Sequence, residues 1–411
     1  MARRVATLVA AFAVPALIGS VVARWVSDDR SISPSSTAPP AATDSISALE
    51  ARASSRPDDA RVWQQLAAAY SREAARTQDA ALFDLASRAV GKAIELAPGE
   101  PDTHVAAGTV ALGAHRFHDA AASGKSALAL RPDDRSALAI SIDAAVELGR
   151  YDEAATFAQR LADLRPDATA LARISYLREL HGDITGARDA MRAAEQAAAA
   201  TPAEAAVIAS LVGDLELHAG DIDAAAAAFG RGKSEVGQAR IDLARGRTPD
   251  AIERLRRQIS PVAARLLGSL ADGEGFDVVR ANDRLLENAG VRLELESALF
   301  EADHGSPQRA VVLAEAAYRD RATIFTADAL GWSLYRAGRA GEAVPYARES
   351  LRTGSRSAGL RLHAAVILGS ADDLRIAFAS GPWFAPELRP DAAAAAARLG
   401  VAVPTTWQMP S

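Results

Sequence analysis

Glu95-Leu96-Ala97-Pro98, Ala129-Leu130-Arg131-Pro132-Asp133 and Asp163-Leu164-Arg165-Pro166-Asp167 recur along one stretch of the chain, and their prolines stand 34 residues apart. A fixed period of roughly 20–50 residues marks a chain built by repeating one supersecondary unit, each copy burying its apolar face against its neighbours. Proline cannot continue a helix, so each of the three closes a unit. A second spacing is independent of the prolines. A glycine is followed five residues later by alanine at Gly149/Ala154, Gly182/Ala187, Gly220/Ala225, Gly246/Ala251, Gly305/Ala310 and Gly338/Ala343. Seven residues before these glycines the side chain is small at Ser175, Gly213, Ala239, Ala298 and Gly331, with Ile142 the exception. A helix hairpin closes tightly only where small residues meet at the crossing, and glycine permits the left-handed turn that ends the first helix.

The first unit adds Trp63, Leu66, Ala67 and Tyr70, then Ala86, Val90, Ala93 and Pro98. This pattern resembles the tetratricopeptide-repeat (TPR) consensus, with about seven residues inserted between the helices. Residues Leu164 to Met191 and Val291 to Gly305 are similar to segments of multi-repeat bacterial TPR proteins of unassigned role. The resemblance implies an all-α, right-handed TPR solenoid of about nine to ten helix pairs. The frame predicts pairs near 59–97, 101–131, 135–165, 168–200, 203–232, 234–258, 260–288, 291–320, 323–353 and 357–380, within a solenoid over 44–400 and before a tail at 401–411. Single helices near 45–55 and 386–399 are expected to cap the array. The pairs over 234–288 depart from the pattern, since Arg280 stands where Gly275 calls for alanine.

Composition fits a folded helical chain: 49% of residues are hydrophobic, 24% charged and only 5% aromatic, so alanine-rich contacts carry the core. Acidic residues outnumber basic ones, 52 to 46, and that balance argues against a general nucleic-acid partner. With no cysteine there is no disulfide framework, thiolate nucleophile or thiolate-bound zinc.

Arg3 and Arg4 precede an uncharged run from Val5 to Ala23. As a helix that run would rise about 28 Å, against a hydrocarbon thickness of roughly 30 Å. The positive side lies before it, which predicts an inside N-terminus and an extracytoplasmic remainder. Residues 1–26 therefore read as a signal peptide or a membrane anchor. Val21-Val22-Ala23 suits a signal peptidase, and the length of the run favours an uncleaved anchor. The Ser-, Pro- and Ala-rich residues 27–43 read as a disordered linker.

Chemical motifs are few. His115-x-x-His118-Asp119 puts two imidazoles and a carboxylate together at a turn but lacks a third ligand at helical spacing, and no metal site is assigned. Gly124-Lys125-Ser126 and Gly232-Lys233-Ser234 resemble the tail of a phosphate-binding loop, yet Asp119 and Ala227 stand where that loop needs glycine, and both fall on helices. No nucleophile elbow or dinucleotide fingerprint occurs. Neither a cofactor nor an enzymatic activity is expected. Between Lys233 and Arg265 eight basic residues face four acidic ones, which reads as a solvated helix face or, alternatively, a docking site for an acidic partner.

The TPR resemblance implies partner contacts from a concave wall lined by first helices, at about the second, fifth, ninth and twelfth residues of each unit. In the unit beginning at Ile324 these are Phe325, Asp328, Trp332 and Tyr335, with Tyr176 and Glu179 at corresponding places earlier and Asp102, Val105, Thr109 and Leu112 earlier still. Such aromatics serve either as interface anchors or as packing against the next repeat. Chaperone-tail clamps of the family carry Lys, Arg and Asn at groove positions, whereas the first units here offer Gln64, Ala68 and Val105. The functional expectation is a non-enzymatic protein- or peptide-binding scaffold at the cell envelope, its oligomeric state open. The alternative is a glycan- or cell-wall-binding accessory subunit of an envelope enzyme, acting through the aromatic groove.

Overall fold

The computed structural model describes residues 45–404 apart from 78, 259 and 381–387. The expected membrane-directed segment at 5–23, the linker at 27–43 and residues 405–411 lie outside the described residues. Among the described residues there are 22 helices and no strand, and no helix is long and apolar enough to cross a membrane. A lone helix α1 (Ile46–Ser55) precedes ten successive pairs. These are α2 (Ala60–Thr77) with α3 (Ala80–Leu96), α4 (Pro101–Gly113) with α5 (Phe117–Leu130), α6 (Arg135–Glu147) with α7 (Tyr151–Leu164), α8 (Ala168–Leu180) with α9 (Ile184–Ala198), and α10 (Pro202–His218) with α11 (Ile222–Gly232). They continue as α12 (Glu235–Ala244) with α13 (Thr248–Arg256), α14 (Pro261–Leu270) with α15 (Phe276–Asn288), α16 (Glu294–His304) with α17 (Pro307–Asp320), α18 (Ile324–Arg336) with α19 (Ala340–Glu349), and α20 (Ala358–Leu368) with α21 (Ala371–Ala379). A final helix α22 spans Arg389–Leu399. The chain is thus a TPR-like array of helix hairpins.

The two spacings read in the sequence have direct structural causes. Pro98, Pro132 and Pro166 each lie two residues past the end of a second helix, at Leu96, Leu130 and Leu164. All six signature alanines, Ala154, Ala187, Ala225, Ala251, Ala310 and Ala343, are 0% exposed, so each marks the point where a hairpin closes. The small residues opposite them touch that point. Ser175 donates its hydroxyl to the Ala187 carbonyl at 2.8 Å. A Cβ on Gly331 would stand 3.5 Å from the Ala343 carbonyl oxygen, and one on Gly213 only 2.5 Å from the Phe229 ring. Gly149, Gly182, Gly220, Gly246 and Gly338 adopt positive φ, as a left-handed helix stop requires, while Gly305 turns without it. At the irregular pair α14–α15, Val279 is 1% exposed and occupies the buried place one residue before Arg280. Arg280 instead lays its guanidinium over the Phe300 ring, 5.3 Å from the centroid.

The described residues divide into two compact units, 45–170 with 282–293, and 171–281 with 294–404. In the first, Leu49, Val62, Leu66, Tyr70, Ala86, Val90 and Val110 form one apolar cluster, and the Tyr70 hydroxyl ties α2 back to α1 through Glu50 at 2.6 Å. Phe83 packs in a second cluster with Leu286, Val291 and Leu293. In the other unit a single cluster joins Leu217, Phe229 and Ile241 to Trp332, Leu362, Phe378 and Ala395, so early and late hairpins of that unit share one core. Their turns meet directly. A Cβ on Gly220 would lie 2.6 Å from the Ala379 carbonyl oxygen and one on Gly182 2.5 Å from that of Gly354.

Candidate functional site

Helix α18 begins with a reciprocal cap, in which the Thr323 hydroxyl accepts from the Thr326 N–H at 3.0 Å and the Thr326 hydroxyl accepts from the Thr323 N–H at 3.0 Å. From Ile324 to Leu334 every residue is buried. This corrects the groove reading of three of its four candidates: Trp332 is 0% exposed, Asp328 7% and Phe325 9%, and only Tyr335 is half-buried. The reason is that α18 packs against α16, α17 and α20 as well as its own hairpin partner α19. The Trp332 indole N–H donates to Asp303 of α16 at 2.8 Å. Its ring stacks on His363 of α20 with centroids 4.1 Å apart and planes 10° apart, and on Tyr335 at 5.5 Å. Arg336 lies over the indole at 5.5 Å and reaches Asp391 of α22 at 3.1 Å.

Charge is held inside this node by pairing. His363 Nδ1 stands 2.9 Å from Asp328, and both residues are under 10% exposed. Burial pushes the imidazole down, but the Asp328 charge and hydrogen bond, with Asp303 and Asp391 nearby, outweigh it and hold the pKa above its ordinary value. Burial raises the Asp303 carboxyl, against the pull of His363, Trp332 and Arg336. His363 Nε2 is buried with no hydrogen-bond partner. The arrangement fastens four helices together, with Trp332, Asp328 and His363 inside and Tyr335, Arg336 and Asp391 partly open to solvent.

Tyr176 and Glu179 are placed differently, half-buried on α8. Glu179 meets His218 of α10 at 2.9 Å. One turn before His218, Asp214 pairs with Arg240 of α12 at 2.8 Å. A polar ladder therefore crosses three successive first helices. Arg240 is 1% exposed, and desolvation pushes its pKa down to about 10, the Asp214 charge opposing the shift. Desolvation likewise raises Asp214, while Arg240 and His218 pull it down. Asp214, His218 and Arg240 carried no local signal in the sequence, because their partners lie 26 and 39 residues away.

The remaining motifs are absorbed by structure. His115 sits at positive φ, stacks on Phe117 at 5.6 Å, and its Nδ1 lies 2.8 Å from the Arg292 carbonyl oxygen. Among the described residues no group of three or more His, Asp or Glu is arranged to hold a metal. Gly232-Lys233-Ser234 ends α11 with Lys233 in the left-handed region, and Ser234 caps α12. Part of the basic excess between Lys233 and Arg265 is paired with carboxylates from elsewhere: Asp214 on Arg240, Asp223 on Arg245 and Glu274 on Arg256.

No family model matches the sequence, and no curated protein matches it. Among solved structures, the Cut9–Hcn1 heterotetramer of the APC/C is similar at 12% identity, covering 86% of this chain and 92% of that one with a TM-score of 0.37. Yeast Tom70 is similar at 13% identity, covering 84% and 96% with a TM-score of 0.29. The TPR domain of P58(IPK) is similar at 13% identity, covering 86% and 92% with a TM-score of 0.21. The repeat architecture described above rests on the hairpins themselves.

Proposed function

We propose that the chain is a non-enzymatic protein- or peptide-binding scaffold that works outside the cytoplasm at the cell envelope, tethered through residues 5–23. The observation that carries the binding reading is the ladder of Tyr176, Glu179, His218 and Asp214 along consecutive first helices. Glu179, His218 and Asp214 keep 21–28% of their side-chain surface exposed, so a partner can reach them, and the Glu179–His218 and Asp214–Arg240 pairs fix these three before the partner arrives. Preorganisation of this kind lowers the entropic cost of association. The envelope placement is supported by the uncharged run from Val5 to Ala23 behind Arg3 and Arg4. The glycan reading needs a wall of exposed aromatic rings, and Trp332, its centre, is wholly buried.

A photo-crosslinking residue at position 176 in the full chain, expressed in cells, tests the binding face. A discrete protein adduct lost on Glu179→Ala with Asp214→Ala, and unaffected by changes on exposed second-helix positions, is the expected result. Adducts indistinguishable from those of a crosslinker placed on an exposed second helix would remove the proposal. For the placement, protease added to spheroplasts should digest the folded part before lysis; digestion only after lysis overturns it.

A further inference from the structure

In the first unit, the successive second helices α5 and α7 flank a half-open cleft of about 670 Å³ whose floor is the first helix α6. It exists because of residue size. Gly124 lets α5 come so close to α6 that a Cβ there would lie 2.5 Å from the Ser141 hydroxyl. The side chains pointing between the second helices, among them Ala121, Ala122, Ala129 and Ala145, are too short to fill the remaining space. The volume falls inside the range of roughly 300–1,000 Å³ typical of ligand sites.

The lining has two zones. Leu128 and Phe157 with the alanines form an apolar wall and floor, whereas His118, Lys125, Arg150 and Arg160 stand with only one carboxylate, Glu153. Lys125, His118 and Arg160 are exposed. Arg160 also donates to the Pro132 carbonyl at 2.8 Å, which holds its guanidinium at the mouth, and Arg150 stands 3.8 Å from Glu153. Leu130 and Leu164, at the ends of the same two helices, are 52% and 43% exposed. A chain of net charge −6 thus concentrates three cations, Lys125, Arg150 and Arg160, around an apolar slot.

We infer that this cleft docks an acidic peptide segment of another protein, which seats an apolar side chain against Phe157 and Leu128 and sets carboxylates on Lys125, Arg150 and Arg160. Two features decide among anionic occupants. An apolar floor beneath the cations rejects a small inorganic anion, which has nothing to bury there, and a recessed floor is out of reach of a flat anionic bilayer, which would meet only the rim. The surface is separate from the α8–α12 ladder, and the proposal does not depend on it.

The test is fluorescence anisotropy with the purified full chain and two labelled helical probes, a Glu/Leu/Ala 15-mer and the same sequence with Lys for Glu. The acidic probe should bind, the basic probe should not, and affinity should fall at least tenfold between low salt and roughly three times physiological ionic strength. Lys125→Glu with Arg160→Glu should weaken the acidic probe at least tenfold. Ala122→Trp, at an exposed lining position, should block it while leaving the charges in place. Lys125→Ala serves as the milder variant should the double substitution fail to fold, with a several-fold loss expected. Equal binding of both probes, no binding of the acidic probe, or wild-type affinity in these variants overturns the proposal. So does binding of phosphatidylserine vesicles that is sensitive to Lys125→Glu while the acidic probe is ignored, since that outcome assigns the surface to a membrane.

Discussion

Replacing Trp332 by alanine separates a core role from a groove role for the helix that holds it. The side chain is 0% exposed, stacks on His363 and Tyr335, carries Arg336 over its face and donates to Asp303. Large-to-small changes at buried Trp or Phe cost about 3–5 kcal/mol through lost transfer energy and the cavity left behind. Loss of the indole donor adds to this, because the raised Asp303 carboxyl then has one fewer partner in a buried place. The upper end of that range, about 4–5 kcal/mol, is therefore expected for Trp332→Ala. Trp332→Phe keeps a ring in the stack and removes the N–H, with about 1–3 kcal/mol expected. Repeat arrays need not unfold in one step, so the readout is hydrogen exchange of peptides covering 324–336, alongside urea unfolding followed by circular dichroism. A change of about 4 kcal/mol corresponds to exchange faster by roughly three orders of magnitude. Unchanged exchange and midpoint in Trp332→Ala, together with loss of a bound partner, would refute the burial argument and return Trp332 to a surface.

Gly220→Ala should destabilise more than Gly246→Ala: both lie at positive φ, which costs about 1–2 kcal/mol for an L side chain, but only the Gly220 Cβ would strike backbone, at 2.6 Å from Ala379 O, while Gly246 has nothing within 4 Å. Thermal unfolding of the two variants checks the order. His363, with its folded pKa above the ordinary 6.5, contributes stability that is present below pH 6.5 and lost as pH rises through the raised value; Asp328→Asn should flatten that alkaline loss in a stability–pH profile. His304 has the opposite sign, since burial and the neighbouring Arg265, Arg336 and Arg280 lower its pKa to about 4. Its contribution is present above pH 6.5 and lost as pH falls toward 4, and His304→Phe should remove that acid-side slope. Ala343→Leu, at a 0% exposed hairpin crossing, should cost about 1–3 kcal/mol by overpacking, measured by urea unfolding.

The sequence by itself determined the helical class, the hairpin unit and the places where each hairpin closes. Those features depend on contacts within about a dozen residues, such as Ser175 with Ala187 or Gly331 with Ala343, and short-range packing must be written into a short-range pattern of small residues, turn glycines and helix-stopping prolines. Helix periodicity also showed that Phe325, Asp328, Trp332 and Tyr335 share one face. What covers that face was decided only in three dimensions. Asp303, His363 and Asp391 come from three other helices, up to 55 residues from their partners on α18; the first two reach it because successive hairpins stack first helix on first helix, while early and late turns of the unit also meet, as Gly220 does with Ala379. No local pattern encodes pairings made across 29 and 35 residues. The same holds for the ladder of Glu179, His218, Asp214 and Arg240, where each residue looks like an ordinary surface charge until the stacking of α8, α10 and α12 pairs it with the next.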